Sequence, residues 1–262
     1  PLAIRSSSLL EDAHYQPFAG IYSTYMIPHL NNIEPMLQML GDAIKGVYAS
    51  VFYKESKAYM TATQNVIDQE KMAVILQEMV GNIHQDVFYP TFSGVLRSIN
   101  YYPIGNEKAD EGIASLALGL GKYIVDGGHA LRVSPYHPHQ VLQTSDTEIA
   151  LRETQTRFYA LDLTHFDAPF EVNDGFNLKN MKVKEAESHG SLQYICSTYD
   201  AYDPVIREGF YPEGRKIVSF AGVLQQNVVP LPALLKLVQE KGVDAMKRPV
   251  EIEFACNVNA DR

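Results

Sequence analysis

Apolar and polar residues along this chain follow two periods. After Asn31 and Asn32, apolar residues recur every three or four positions, at Met36, Leu37, Leu40, Ala43, Ile44, Val47, Tyr48 and Val51. That spacing predicts an amphipathic helix with these side chains on its buried face. Either asparagine can cap it, and Pro35 falls in its first turn, where a missing N–H costs little. Met72 to Val80 is an almost unbroken apolar run, expected as a strand buried on both faces. Phe92–Ile99, Gly112–Leu120, Leu192–Thr198 and Lys216–Gly222 are further strand candidates. Pro230 and Pro232 open a second helix through Leu234, Leu235, Leu237 and Val238, expected to end near Gly242. Beyond Pro249 the period shortens to two, and Val250–Cys256 predicts a final strand. The stretch from Ser134 to Gly190 is polar and turn-rich, and reads as loops, short strands and one helix-like segment. Helices and strands mixed in this order imply an α+β or α/β nucleotide-type fold.

Composition narrows the picture. The chain has 262 residues and a formal net charge of −9, so no basic stripe for nucleic acid is expected, and a bound polyanion would have to be small and held locally. No window approaches the ~20 apolar residues of a membrane span, and the start PLAIRSSS lacks a signal-peptide layout. Cys196 and Cys256 stand far apart without a CxxC, which points to a reducing, cytoplasmic setting. The apolar opening Pro1–Ile4 and the abrupt stop at Arg262 read like a piece of something longer.

Four groups of residues are candidates for chemistry. Arg5-Ser6-Ser7-Ser8 places a guanidinium and three hydroxyls just after the apolar Pro1–Ile4, a set of donors suited to phosphate oxygens. Ser8 to Glu11 also fits a capping box, and a capped helix start is itself an anion site. Gly119-Leu120-Gly121-Lys122 is neither a dinucleotide fingerprint nor a P-loop, because Ile124, Leu116 and Tyr123 occupy positions those motifs reserve for other residues. It reads as a glycine turn after an apolar strand. In Val250–Phe254 strand alternation puts Glu251 and Glu253 on one face, roughly 7 Å apart, with Val250, Ile252 and Phe254 on the other. Two such carboxylates suit Mg²⁺ bridged to nucleotide phosphates, and equally suit one wet strand face. His137-Pro138-His139 has no matched ligand pair nearby and reads as a surface turn, while Thr164-His165 lacks the setting of a phosphoryl acceptor.

The order of these pieces resembles one family along nearly the whole chain: the nucleotide-binding ATP-grasp domain of phosphoenolpyruvate synthase and pyruvate phosphate dikinase. Ala3–Ser8, Glu11-Asp12 and Phe18–Tyr25 resemble its opening VRSSxxxED and FAGxxxTY motifs. Ala73–Val80 is similar to the VxVQxMV strand, Ser93–Leu96 to SGVxFT, Leu118–Gly121 with Val125–Gly127 to GLGExVVxG, and Pro249–Phe254 to PxDIEF. The resemblance implies an α+β, ATP-grasp-like fold with mixed sheets flanked by helices, forming part of a larger multidomain protein. Residues 1–262 would be one partial nucleotide-binding domain, with possible subdomains 1–80 and 81–262. It further implies ATP held between two lobes: Arg5 on the phosphates as the catalytic cation, Gln77, Glu78, Met79 and Val80 beside the adenine, Gly119 and Gly121 at the nucleotide, and Glu251 and Glu253 on Mg²⁺. In that family the β-phosphoryl group of ATP passes to a histidine on a swivelling domain, and a separate barrel uses the phosphohistidine on pyruvate. Both partner domains are expected elsewhere in the full protein.

Three departures from the family pattern qualify that expectation. Lys122 replaces a glutamate of the glycine turn, Arg97-Ser98-Ile99-Asn100 replaces FTxxP, and the terminal QxR and the leading lysine segment fall outside the chain. The isolated piece is therefore expected to be incomplete and inactive alone. The alternative function is a degenerate ATP-grasp module that senses nucleotide or mediates assembly without catalysis. A carboxylate–amine ligase is set aside because the opening motif points to the dikinase branch.

Overall fold

The opening strand turns Leu2 and Ile4 into an apolar core around which one part of the molecule is organised. The computed structural model describes residues 1–8, 11, 20–62, 70–164 and 170–258. They form two compact units, Pro1–Met79 with Leu161–Lys179, and Val80–Ala160 with Asn180–Arg262.

In the first unit β1 (Leu2–Ser8) lies between β2 (Tyr25–Ile27) and β3 (Met72–Glu78), and both pairings are antiparallel. Leu2, Ile4, Tyr25, Ile27, Met72 and Val74 share one face, which packs on α1 (Ile33–Ser50) through Met39, Ala43 and Val47. A shorter helix, α2 (Lys54–Ala62), follows. The Asn32 side chain caps α1 by accepting from the Glu34 amide at 3.2 Å. The buried stripe of α1 runs through Met39, Ala43, Gly46, Val47 and Ser50, whereas Leu37 and Tyr48 are 59% and 49% exposed. The three-stranded sheet is narrow, so it covers only part of the apolar arc that the sequence predicts as buried. Nor is β3 buried on both faces: Ile75, Leu76 and Val80 are about half exposed. Among the described residues β3 pairs with β1 alone, so it is an edge strand, and of the Met72, Val74, Leu76 and Glu78 face only Met72 and Val74 pack against the core.

The segment Leu161–Lys179 completes this unit. Phe170 and Phe176 pack their rings 4.9 and 6.4 Å from that of Tyr25, whose hydroxyl donates to the Val172 carbonyl at 2.7 Å.

The second unit begins with β4 (Asn82–His84), β5 (Val87–Tyr89), β6 (Phe92–Arg97), β7 (Ile113–Ala117), α3 (Lys122–Val125), β8 (Leu131–Val133) and α4 (Thr147–Glu153). Strands β9 (Arg157–Asp162) and β10 (Leu178–Lys182) each carry residues of both units, and the second unit continues with β11 (Cys196–Asp200), β12 (Val205–Glu208), β13 (Arg215–Val218), α5 (Ala221–Leu224), α6 (Leu231–Met246) and β14 (Glu251–Cys256). Three sheets result, ordered β10-β9-β5-β4, β12-β11-β13 and β14-β6-β7-β8. The last is antiparallel throughout, with β6 almost wholly buried at its centre.

Helix α6 runs four residues past its expected stop at Gly242 and ends at Met246, where Lys247 takes the left-handed conformation. Gly242 is a packing position instead: a side chain there would press on Ile252 and Val250 at 3.0 and 3.2 Å. The helix buries Leu231, Leu235 and Gln239 and leaves Leu234, Leu237 and Val238 substantially exposed. Two expected strands are interrupted within their apolar runs by a turn or a helix start. Leu192–Ile195 is turn before β11, and the run from Lys216 breaks at Phe220, whose φ of 55° starts α5. The architecture is α+β and ATP-grasp-like, and no described helix is long and apolar enough to cross a membrane.

Candidate functional site

One face of the first unit's sheet packs against α1. Strand alternation puts Ala3, Arg5 and Ser7 of β1 and Ala73, Ile75 and Gln77 of β3 on the other face, in register Arg5↔Ile75 and Ala3↔Gln77, with Ala3 buried and the three β3 residues exposed. There Arg5 Nη1 donates to Gln77 Oε1 at 3.4 Å, across 72 residues of sequence. Ile75, 47% exposed, is paired with Arg5 in the register and precedes Gln77 by two residues on the same face. An apolar seat bordered by a guanidinium and an amide can take a flat ring and an anion side by side. Glu78 ends β3, and the Met79 amide is already committed to the Pro1 carbonyl at 3.1 Å. Val80 is the first residue of the second unit.

Around the opening serines half of the capping box is present: Ser8 Oγ accepts from the Glu11 amide at 3.2 Å. The Glu11 carboxylate accepts from the Ser6 hydroxyl at 2.8 Å. Leu9, Leu10, Asp12, Phe18, Ala19 and His165 lie outside the described residues.

In the second unit the glycine turn and the two glutamates share a face of one sheet. Register pairs Glu251 with Arg97, Glu253 with Val95 and Ala255 with Ser93, so Ser93, Glu253 and Glu251 fall on the same side. Ser93 Oγ donates to the Gly119 carbonyl at 2.8 Å, which sets the turn over that side. Gly119 has φ 83°, and a side chain on it would meet the Tyr159 carbonyl at 2.7 Å, so glycine is required there. Gly121 has room, with Ser93 Cβ at 3.5 Å the nearest atom to an added methyl. Gln155 clamps the residue before the turn, accepting from the Leu118 amide at 2.8 Å and donating to its carbonyl at 3.0 Å. Ser93 opens the segment that resembles SGVxFT, whereas the sequence gives no sign of Gln155, since a lone glutamine carries no periodic or motif signal.

The two cations that depart from the family pattern, Arg97 and Lys122, each have an acidic partner. Arg97 forks onto Glu251, with Nε to Oε2 at 2.7 Å and Nη2 to Oε1 at 3.3 Å, and these hydrogen bonds push the guanidinium pKa further up. Lys122 opens α3 and pairs with Asp126 at 3.1 Å one turn on. His137 sits 3.1 Å from Glu111. No group of three or more His, Cys, Asp or Glu side chains among the described residues can hold a metal. Glu251 and Glu253 offer hard oxygen donors of the kind Mg²⁺ takes in ones or twos when phosphates complete its shell. Both Glu251 oxygens accept from Arg97, so Glu251 could turn to a phosphate-bridged Mg²⁺ only by giving up that ion pair, and the donor set falls short of a stand-alone metal site.

Over residues 1–262 the sequence matches the family model described as pyruvate phosphate dikinase, AMP/ATP-binding domain. It is similar to phosphoenolpyruvate synthase of Aeropyrum pernix, 26% identical over 259 residues that make up 97% of this chain and 26% of that protein. It is also similar to the uncharacterized phosphotransferase YvkC of Bacillus subtilis, 30% identical over 126 residues, 48% of this chain and 13% of that one. The chain spans about a quarter or less of the length of these curated relatives.

Proposed function

Because the chain belongs to the pyruvate phosphate dikinase AMP/ATP-binding domain family, we propose that it is the Mg-ATP-binding part of a dikinase-type phosphotransferase. In this reading it presents the β-phosphoryl group of ATP to a histidine on another domain, for onward transfer to pyruvate. The observation that carries the reading is the sheet face opposite α1, on which Arg5 and Gln77 meet beside Ile75. Arg5 takes phosphate oxygens, the Gln77–Val80 stretch borders the base, and Ser93 holds the Gly119–Gly121 turn for close backbone approach. Mg²⁺, when bound, neutralises phosphate charge, and Glu253 with Glu251 would hold it. In-line phosphoryl transfer asks the protein for positioning and charge neutralisation more than for covalent work, and these residues are of the right kind for both. The phosphohistidine and pyruvate domains belong to the proposal and would lie elsewhere in the protein.

Calorimetric titration of the chain with ATP and Mg²⁺ is the test. Arg5→Ala and Glu253→Gln should each weaken binding at least about tenfold, or ~1.4 kcal/mol. Unchanged affinity in both variants would remove the assignment.

A second reading, a nucleotide-sensing or assembly module without catalysis, draws on the ion pairs Arg97–Glu251 and Lys122–Asp126, which occupy groups a catalytic site would use. Exchange of phosphate label between ATP and pyruvate by the whole protein decides against it.

A further inference from the structure

On a chain of net charge −9, one concavity is strongly basic. It lies in the second unit, with a volume of about 600 Å³, and its walls carry Arg157, Lys182, Lys184, Arg215 and Lys216 with Glu187 as the single carboxylate. The cations come from separate elements: the start of β9, the end of β10, the 3-10 segment Val183–His189 and the start of β13. We propose that this concavity binds a compact polyanion carrying two or more phosphate groups, at a site separate from the Glu251 and Gly119 face.

The argument begins with Lys216. Its side chain is 2% exposed, donates to the Gly214 carbonyl at 2.9 Å, lies over the Phe210 ring and stands 3.6 Å from Glu187. A buried ammonium is tolerated because these acceptors and one counter-charge surround it, and Glu187 is thereby used. The other four cations have no carboxylate within ion-pair distance among the described residues.

Both arginines are nevertheless aimed. Arg157 donates through Nε and Nη2 to Asn180 at 2.7 and 2.6 Å, and Arg215 through Nη2 to the Leu151 carbonyl at 2.8 Å. These acceptors are neutral, so they orient the guanidinium forks without cancelling their charge, leaving planar donors suited to phosphate oxygens. A monoanion would meet only part of a set spread over four elements, whereas a di- or triphosphate can span it. The Gln155 side chain that clamps Leu118 belongs to the same wall, so an occupied site would adjoin the support of the glycine turn.

Calorimetry with inorganic tripolyphosphate tests the proposal on the 262-residue chain, with orthophosphate and citrate as comparison anions. Saturable binding is expected, at least tenfold tighter for tripolyphosphate than for either comparison anion. Arg157→Gln combined with Arg215→Gln should weaken it at least tenfold, while Arg5→Ala leaves it within twofold. If that pair fails to fold, as judged by circular dichroism, the exposed Lys182→Gln with Lys184→Gln carries the same expectation. Absent saturation, citrate binding as tightly, indifference to the basic-wall substitutions, or loss on Arg5→Ala would each overturn the proposal. The last outcome would assign the anion to the nucleotide face, so the two readings fail separately.

Discussion

A carboxylate survives burial only when its neighbours meet its lone pairs, and Glu107 meets that condition. Its side chain is 2% exposed. Arg132 reaches Oε1 at 3.1 Å and Oε2 at 2.7 Å, and Oε2 also accepts from Asn100 at 2.9 Å and the Ile104 amide at 3.0 Å. Burial pushes the carboxyl pKa up more than any single other effect, yet these donors together hold it below the ordinary value. The folded state therefore favours the ionised form. Its contribution is present above the unfolded carboxylate pKa and is lost as pH falls through the lower, folded one. Glu107→Gln keeps the volume but strands Arg132, and should cost about 3 kcal/mol near neutral pH. Urea denaturation between pH 4 and 7 should also show a flatter acid limb, and a loss below about 1 kcal/mol would contradict this account. Ion pairing of this kind was beyond the reach of local sequence pattern. Arg97 reads in the sequence only as a departure from FTxxP, because its partner Glu251 lies 154 residues away and only strand register joins them.

Helix α1 shows what one element's sequence can and cannot say about itself. Its existence, its Asn32 cap and its amphipathic period are all local, and all are legible. Which part of the apolar arc faces inward depends on the width of the sheet opposite, and two glycines in the same helix separate the two kinds of information. Gly41 has nothing within 4 Å of an added methyl, while at Gly46 the Tyr25 ring would stand 2.6 Å away. Gly41→Ala should stabilise by up to ~1 kcal/mol through helix propensity. Gly46→Ala should destabilise by about 1–3 kcal/mol through overpacking against a fully buried ring. Thermal and urea unfolding of the two variants checks the opposite signs, which propensity alone would make equal. The strands divide in the same way. Alternation in β14 reads directly as one wet face, exposed at Glu251 and Glu253. The apolar run of β3 reads as doubly buried because no residue within it records its place at a sheet edge.

For the whole molecule, connectivity is the information least available from the sequence, since the first unit is made from two separated stretches of chain. Tyr25 depends on the second stretch for Phe170, Phe176 and the Val172 carbonyl, and the Met26 carbonyl accepts from Asn177 at 3.1 Å. A polypeptide of residues 1–79 alone should therefore lack native tertiary structure. Joining 161–179 to it through a flexible linker should restore dispersed amide signals in NMR spectra, and a well-folded 1–79 would contradict this. Charge is likewise unevenly placed at this scale: a formal −9 describes the far field, while a basic concavity governs what an anion meets at close range. The chain passes between the units three times, at Met79–Val80, Ala160–Leu161 and Lys179–Asn180. The two bodies are therefore sewn rather than strung. A single break at any one seam leaves two other covalent threads between them, so neither unit can be inherited, exchanged or shed by one cut.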